Sequence, residues 1–563
     1  MDIAMKKILS GFLAVLMILS VVVVFSSCNK DNNDIGAQGT TTLLEETFPG
    51  ILVSDVQNIK IIYSSTETQP VAKLICDAME KKFGFRPAIR SSYVNNAVAE
   101  FAEAEFEILV GNCEYREESE SFFATVRIKD YGYSLVNKKI VVAGGSAALM
   151  KSAAEHLIAN VIEKCDSAAQ GSFFFKSESN FMHTDVYSLD LLKLNDAYIS
   201  EYTIIYPDRD RAIEKNYAKA LAAKIEGYSG YSLRIKADKS VPDKSAREIR
   251  VGVTDRNANV AATAALTSDG YYIGRCDDGA IEIYATSING YIGAIDKIYT
   301  MAITGERDVN MSITEDIRGT KTAEALTSMS FNILTTKPDD TRFAAVVERI
   351  TNVMPDTVGL QEVSPYWMGK LKPELAKHGY DCIGVDRNGD GSGEYSCIFY
   401  LKDKFTLKDS GTKWLSDTPD KVSRYPESSY NRIFTYAKLQ RKSDGAVFVH
   451  INTHFDHKGG MLKQAKVLTA FADSLGNIPI IFTGDFNSDP TSSAYKAIVD
   501  GGYSDLSLLA EDTKVVPTFY SGSTIDFFFG NELVFPAKYH VDNEGFSGKF
   551  PSDHYPITLK YYI

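Results

Sequence analysis

The chain has 563 residues, 44% hydrophobic and 24% charged, the balance of a globular protein with room for about three to four domains. Its net charge of −13 excludes a protein that coats nucleic acid through a basic face, and no stable nucleic-acid complex is expected. The seven cysteines and eight histidines show no Cys-x-x-Cys spacing and no His–Cys cluster, which argues against a zinc site.

At the N-terminus, Lys6 and Lys7 precede an apolar run from Ile8 to Phe25, followed by Ser26, Ser27 and Cys28. A positive start, an apolar middle and small residues describe a bacterial export signal. The cysteine directly after the small residues resembles a lipobox, with Phe25 where leucine is usual. That resemblance implies cleavage before Cys28, lipidation of its thiol and attachment to a bacterial membrane at the cell surface. An uncleaved anchor is the other reading, because the run is nearly long enough to span. Residues 1–27 are read as signal peptide and 28–50 as a polar tether.

Residues 51–318 carry an internal repeat with a period of about 140 residues. Ile61-Ile62-Tyr63 recurs as Ile204-Ile205-Tyr206, Glu107-Ile108-Leu109-Val110-Gly111 as Glu248-Ile249-Arg250-Val251-Gly252, and Gly132-Tyr133 as Gly270-Tyr271. Short β-branched runs alternate with stretches (Ala72 to Phe83, Ala212 to Ile225) whose apolar residues return every three or four positions. Each copy, 51–185 and 190–318, therefore predicts a small α+β layer with helices on one sheet face. The pattern resembles the accessory α+β domain of glycoside hydrolases. It carries no catalytic motif, and its role is that of a spacer or a glycan-binding unit.

A polar joint from Glu315 to Ser328 leads into residues 325–563, where strands again alternate with helices: Met329 to Leu334 as strand, Phe343 to Met354 as helix, Thr357 to Glu362 as strand. Five polar motifs stand where strands should end: Ser-Phe-Asn332-Ile, Leu-Gln-Glu362-Val, Asn-Thr-His454-Phe-Asp456-His457, Gly-Asp485-Phe-Asn487 and Ser-Asp553-His554-Tyr-Pro. A carboxylate closing a buried apolar strand is costly without a partner, and hard oxygen donors suit Mg²⁺, with Mn²⁺ as a substitute. Asp526 stands inside an otherwise apolar strand, and a carboxylate there can orient an imidazole. Asp386-Arg-Asn388-Gly-Asp390-Gly391 imitates the start of an EF-hand, but Cys397 falls where the glutamate belongs, so a hairpin loop is expected. Cys382 and Cys397 flank that turn and would sit roughly opposite, as buried free thiols or, after export, a disulfide.

The motifs, in this order, resemble the endonuclease/exonuclease/phosphatase superfamily of metal-dependent phosphoesterases. The resemblance implies a four-layer α/β sandwich of two packed mixed sheets. It implies Glu362 as the main metal ligand, with Asn332 beside it and Asp553 as a second metal-side carboxylate. His454 would contact the scissile phosphate, Asp485 would orient or deprotonate water, Asn487 would hold a phosphate oxygen, and Asp526 would pair with His554. Trp414-Leu415-Ser416-Asp417-Thr418-Pro419, Arg432 and Glu394 match the bacterial secreted branch and place Arg432 and Glu394 on the substrate side. Asp456 is assigned to substrate contact or to a solvated loop.

The expected protein is a surface-anchored, Mg²⁺-dependent hydrolase of phosphodiesters acting through metal-activated water. A phosphomonoesterase on sugar or inositol phosphates, an extracellular nuclease and a phospholipase are the rivals. From another class, it could be a glycan-binding surface lipoprotein with an inactive enzyme domain, although decay usually removes a carboxylate or histidine from such a set.

Overall fold

The computed structural model describes residues 49–92, 103–169, 171–209, 213–241, 244–256, 265–513 and 516–563. The export signal and Cys28 lie outside the described residues. Among the described residues, no helix is long and apolar enough to cross a membrane.

The first sheet is built from β1 (Lys60–Tyr63), β2 (Ala88–Ser91), β3 (Glu107–Val110), β4 (Tyr131–Val136), β5 (Lys139–Gly144) and β6 (Phe181–His183). Its order is β2-β1-β3-β5-β4-β6. The first four of these in space run parallel, and β4 returns antiparallel as a hairpin with β5. Helices α1 (Gln69–Phe83) and α2 (Ala147–Leu157) supply the crossovers. In α1, Val71, Ala72, Ile75, Cys76 and Met79 form the buried stripe. The helix stops at Gly84, whose φ of 75° is a left-handed cap that a residue without a Cβ adopts freely.

The second sheet has β7 (Thr203–Tyr206), β8 (Arg234–Ala237), β9 (Glu248–Val251), β10 (Gly270–Arg275), β11 (Ile281–Ala285) and β12 (Ile317–Thr320), with helices α3 (Glu214–Ser229) and α4 (Ile288–Ala302). Its order, β8-β7-β9-β11-β10-β12, repeats the first sheet strand for strand. Local chemistry repeats as well. Ser146 caps α2 through Leu149 N, and Ser287 caps α4 through Gly290 N. Buried Glu107 is paired by Arg116, and buried Glu248 by Arg256.

The C-terminal sandwich consists of β13 (Leu326–Asn332), β14 (Thr357–Val363), β15 (Tyr380–Ile383), β16 (Tyr395–Leu401), β17 (Phe405–Trp414), β18 (Ile433–Arg441), β19 (Val447–His454), β20 (Ile480–Asp485), β21 (Ser504–Asp505), β22 (Asp512–Thr513), β23 (Asp526–Gly530), β24 (Phe535–Val541) and β25 (Ile557–Tyr562). One sheet is ordered β15-β16-β14-β13-β25-β24-β22 and the other β17-β18-β19-β20-β23-β21. Helices α5 (Asp340–Val353) and α6 (Pro365–Ala376) cover the first sheet, and α7 (Met461–Asp473) and α8 (Ser493–Asp500) the second. The two-residue period of the strands assigns the faces. Met329 and Phe331 pack under α5 and α6, while Ser328, Ser330 and Asn332 point between the sheets. Ile451 and Phe482 pack under α7, while His450, Asn452, Thr483 and Asp485 point inward.

The space between the sheets grades along the strands. At one end it is apolar, with Leu326, Phe448, Ile481, Phe528 and Leu559. In the middle it becomes a buried polar network. Gln361 Nε2 donates to Ser330 Oγ (3.0 Å) and Asn452 Oδ1 (2.7 Å), Thr483 Oγ1 donates to Asn452 Oδ1 (3.0 Å), and His450 Nε2 meets Thr483 Oγ1 (2.8 Å). Gly359 makes room for it: a Cβ there would lie 2.3 Å from Thr483 Oγ1. The far end is the candidate site.

The second sheet's core continues into the sandwich. Leu533 and Phe535 are buried in the same apolar cluster as Tyr217, Leu221 and Tyr291. The Tyr217 ring stacks on Tyr291 at 4.2 Å and on Phe535 at 5.7 Å. Asn216 Nδ2 donates to Val534 O and Asn477 Nδ2 to Ala223 O. The first sheet is tied to the second through Arg127, which donates to Leu189 O at 2.8 Å and lies over the Tyr187 ring at 4.1 Å.

The helix from Ala147 to Leu157 ends in a π turn, Ile158–Ile162. Cys382 pairs across the hairpin with Phe399, so Cys397 is its diagonal neighbour, and the six described cysteines are free thiols. In the Asp386 loop the carboxylate accepts from the N–H groups of Asn388, Gly391 and Gly393, which spends its oxygens on the turn itself.

Candidate active site

Strand register builds the centre of the site. His454, the last residue of β19, is the Cα partner of Asp485 on β20, and Asp485 is the partner of Asp526 on β23. Three chemistry-bearing side chains thus form one row across the inner face of one sheet. Asn332 and Glu362 close over the row from the end of the other sheet.

Glu362 reaches the site by breaking the strand alternation. The register of β14 against β16 shifts between Leu360 and Val363, and Glu362 has φ 60°. Left-handed backbone is uncommon for a glutamate. It recurs at Leu334 (φ 60°) and Asn487 (φ 45°), each two residues after a site side chain, Asn332 and Asp485, and such strained positions often accompany functional sites. Arg342 secures the loop after β13. Its guanidinium donates to the carbonyls of Ile333, Leu334, Thr336 and Pro551, joining the segments that carry Asn332 and Asp553. Trp367 Nε1 adds bonds to Leu334 O and Thr336 O.

Asn332 Nδ2 donates to Glu362 Oε1 at 3.1 Å and to Asp485 Oδ2 at 3.0 Å. Glu362 Oε2 accepts from Thr335 N at 2.8 Å. His454 Nε2 and His554 Nε2 lie 3.4 and 3.5 Å from Asp485 Oδ2. His554 Nδ1 is 2.9 Å from Asp526 Oδ2, which also accepts from Thr518 Oγ1 at 2.7 Å. Asn487 turns its amide NH₂ to Phe455 O, and its backbone N–H bonds Asp485 Oδ1.

The electrostatics divide the two histidines. Burial, then the Arg432 guanidinium and the His554 ring, push His454 well below the usual imidazole range, so it is neutral. Burial alone would lower His554 too, but the Asp526 and Asp485 carboxylates outweigh it and raise the ring to about 10. Burial lifts Asp485 to about 7, against the pull of His554. A carboxylate poised near neutrality beside a fixed imidazolium is suited to moving a proton.

Glu362, His454 and Asp485 each offer a ligand atom, all within 4.8 Å of one another. Two carboxylates converge there beside a neutral imidazole, a set that fits Mg²⁺ or Mn²⁺, and the Asn332 NH₂ orients both carboxylates while its Oδ1 accepts from Leu334 N. The overlapping group Asp485, Asp526 and His554 fits a cation poorly, because His554 is itself the cation paired to Asp526. Asp553 stands outside both groups. It is 8% exposed, and its carboxylate lies 3.5 Å from Lys549 Nζ.

Beside the row, a small cleft is lined by Glu362, His454, Arg432, Glu394 and Arg387. Arg432 is buried, with Nε 3.5 Å from Asp456 Oδ2. Asp456 is fully buried and accepts from Tyr430 N and Lys458 N. The solvated loop expected as one reading of Asp456 does not describe this position: it sits behind Arg432 and holds the 430 loop. Glu394 pairs with Arg387 at 2.6 Å, and burial raises its carboxyl. Trp414 Nε1 donates to Arg387 O, which gives the tryptophan motif a supporting role. Arg387, Arg342 and Thr518 have no motif signal in the sequence; only the tertiary arrangement picks them out.

Comparison with known proteins gives consistent relatives. The model of the endonuclease/exonuclease/phosphatase family matches residues 329–554. Among curated proteins, nocturnin of Xenopus laevis is 28% identical over 194 residues, 31% of this chain and 47% of the relative. Human 2′,5′-phosphodiesterase 12 is 28% identical over 188 residues, 29% of this chain and 30% of the relative. The chain thus spans about half, or less, of the length of the curated relatives it matches. Among solved structures, an endonuclease/exonuclease/phosphatase from Bacteroides vulgatus is 31% identical, covering 43% of this chain and 99% of that one, TM-score 0.40. The mannosyl-6-phosphatase of Bacteroides thetaiotaomicron is 29% identical, covering 42% of this chain and all of that one (100%), TM-score 0.40. By its motifs, its sandwich and the match over residues 329–554, the C-terminal part of this chain belongs to the endonuclease/exonuclease/phosphatase family of phosphoester hydrolases.

Proposed function

We propose that the C-terminal sandwich hydrolyses phosphoester bonds with a divalent metal, Mg²⁺ first, held by Glu362, whose carboxylate Asn332 orients. The observation that carries this reading is the registered row His454–Asp485–Asp526, closed by Glu362 and His554. A metal bound there supplies positive charge against the phosphate and lowers the pKa of water. Asp485, whose Oδ2 faces both imidazoles, would accept the proton of the attacking water. His554, held cationic by Asp526, stabilises charge on a phosphate oxygen. Neutral His454 donates a hydrogen bond to the phosphate or leaving oxygen. The new P–O bond forms as the ester P–O bond breaks, and the leaving oxygen takes up a proton.

Phosphodiesters are the first substrates to test, in keeping with the phosphodiesterase name of one relative. A second reading, a monoester such as a sugar or inositol phosphate, is favoured by the two arginines in the cleft. The purified chain is assayed on diester, monoester, nucleic acid and phospholipid substrates, with Mg²⁺ and with chelator. Hydrolysis that requires metal supports the proposal, and no metal-dependent hydrolysis of any of them refutes it.

The same reading makes the protein a lipoprotein anchored through Cys28, with the two N-terminal sheets as tandem copies of one accessory unit. The signal pattern of residues 6–28 and the shared strand order support it. Mass spectrometry of the mature N-terminal peptide tests the anchor: it should start at a lipidated Cys28, and an unmodified or different start overturns it. Binding of the full chain to polysaccharide tests the glycan role of the accessory units against a spacer role.

A further inference from the structure

Arg432 is 4% exposed, yet its Nε has no hydrogen-bond partner among the described residues. Its nearest carboxylate, on Asp456, is 3.5 Å away and already accepts two backbone N–H groups. Arg387 lines the same cleft. One of its terminal nitrogens is tied to Glu394 at 2.6 Å, and its guanidinium lies over the Tyr430 ring at 4.3 Å; Arg432 approaches the same ring at 5.3 Å. Two guanidinium groups are thus gathered around one aromatic ring, next to Glu362 and His454, with donors to spare.

Two like charges side by side in a half-closed cleft repel, and the nearest carboxylate to Arg432 lies 3.5 Å behind it. A protein keeps such an arrangement where a ligand offsets the cost. The ligand that does so accepts hydrogen bonds from two planar forks and carries more than one negative charge. A terminal phosphate, with three free oxygens and close to two charges, meets both demands. The phosphate of a diester has two free oxygens and one charge.

Resting on the phosphoesterase reading above, we propose that Arg387 is a specificity-determining residue: with Arg432 it grips the terminal phosphate of a monoester, and it gives the site its preference for monoesters over diesters. Glu394 and Tyr430 hold Arg387 ready, the first through an ion pair and the second through its ring face.

The test compares the wild-type chain with Arg387→Ala and Arg387→Gln. The backbone bonds of Arg387 to Glu394 and Trp414 survive both changes, so the loop should keep its shape. The ratio of kcat/KM on p-nitrophenyl phosphate to that on bis-p-nitrophenyl phosphate should fall by about thirtyfold or more, chiefly through KM on the monoester. Inorganic phosphate, followed by calorimetry, should bind both variants about tenfold more weakly than wild type. Equal losses on the two esters, or a wild type that hydrolyses only the diester, overturn the proposal while leaving the phosphoesterase reading intact. If no ester is hydrolysed, that reading fails by itself. The phosphate titration then decides the subsite: weakened binding in the variants supports it, and unchanged binding refutes it.

Discussion

The imidazole of His554 meets the carboxylate of Asp526 at 2.9 Å, across 28 residues of sequence. Asp526 comes from the inner face of β23, and His554 from the segment before β25. Thr518 fixes the carboxylate from its other side, so the ring has one orientation and its Nε2 faces Asp485.

Asp526→Asn should therefore lower kcat by about a hundredfold, the scale of a lost charge-stabilising or acid–base partner. The pH profile gives the more specific readout. The carboxylates raise His554 to about 10, so its cation is present below that pH and lost above it. Without the Asp526 charge the basic limb should move down toward the ordinary imidazole range. A profile identical to wild type would contradict the pair.

His450 lies fully buried in the polar network between the sheets, and burial depresses its ring to about 3. Its folded pKa is below its unfolded value, so the unfolded chain binds the extra proton. This stability is complete above about pH 6.5 and is lost as the pH falls from there toward 3, by about 2 kcal/mol at pH 5. Urea denaturation at about pH 7 and about pH 5 checks this, and His450→Gln should flatten the dependence in that window.

Gly359→Ala places a methyl group 2.3 Å from Thr483 Oγ1 and 2.5 Å from Asn452 Oδ1. Both oxygens are locked in the network, so the two sheets must part. The variant should lose about 2 kcal/mol or more, read as a shift of the denaturation midpoint without a change of slope.

Much of this was legible in the sequence, and the reason is periodicity. The alternation of Met329 and Phe331 with Ser330 and Asn332 already separates a helix-facing from an inward-facing side, and four of the five motifs lie at strand ends, while Asp553-His554 instead leads into β25. The inward turn of Glu362 was not legible, because it depends on a register shift and a positive φ that the apolar run Val358 to Leu360 does not announce. Arg387 was hidden for a different reason: its partners, Glu394, Tyr430 and Trp414, are brought to it by a hairpin and two loops. The burial of Asp456 was not legible, because a carboxylate in a polar motif looks exposed until its backbone donors are seen.

The shared core of the second sheet and the sandwich makes a further prediction. A chain cut to residues 321–563 leaves Leu533 and Phe535 without Tyr217 and Tyr291. It should unfold at lower temperature than the full chain and self-associate. Phe535→Asp in the full chain should destabilise by about 3 kcal/mol or more, through lost burial and an unpaired charge. Calorimetry and light scattering provide the measurement.

Glu362 is proposed to hold the metal on which hydrolysis depends. Glu362→Gln keeps the shape of the side chain, and its amide can still accept from Thr335 N, so the fold should be unchanged by circular dichroism. Initial rates on a phosphoester are measured for both proteins as Mg²⁺ is titrated. The metal-dependent rate should fall at least about a hundredfold in the variant, with half-saturation moved to higher Mg²⁺. Equal rates and an equal Mg²⁺ dependence in the two proteins would contradict it.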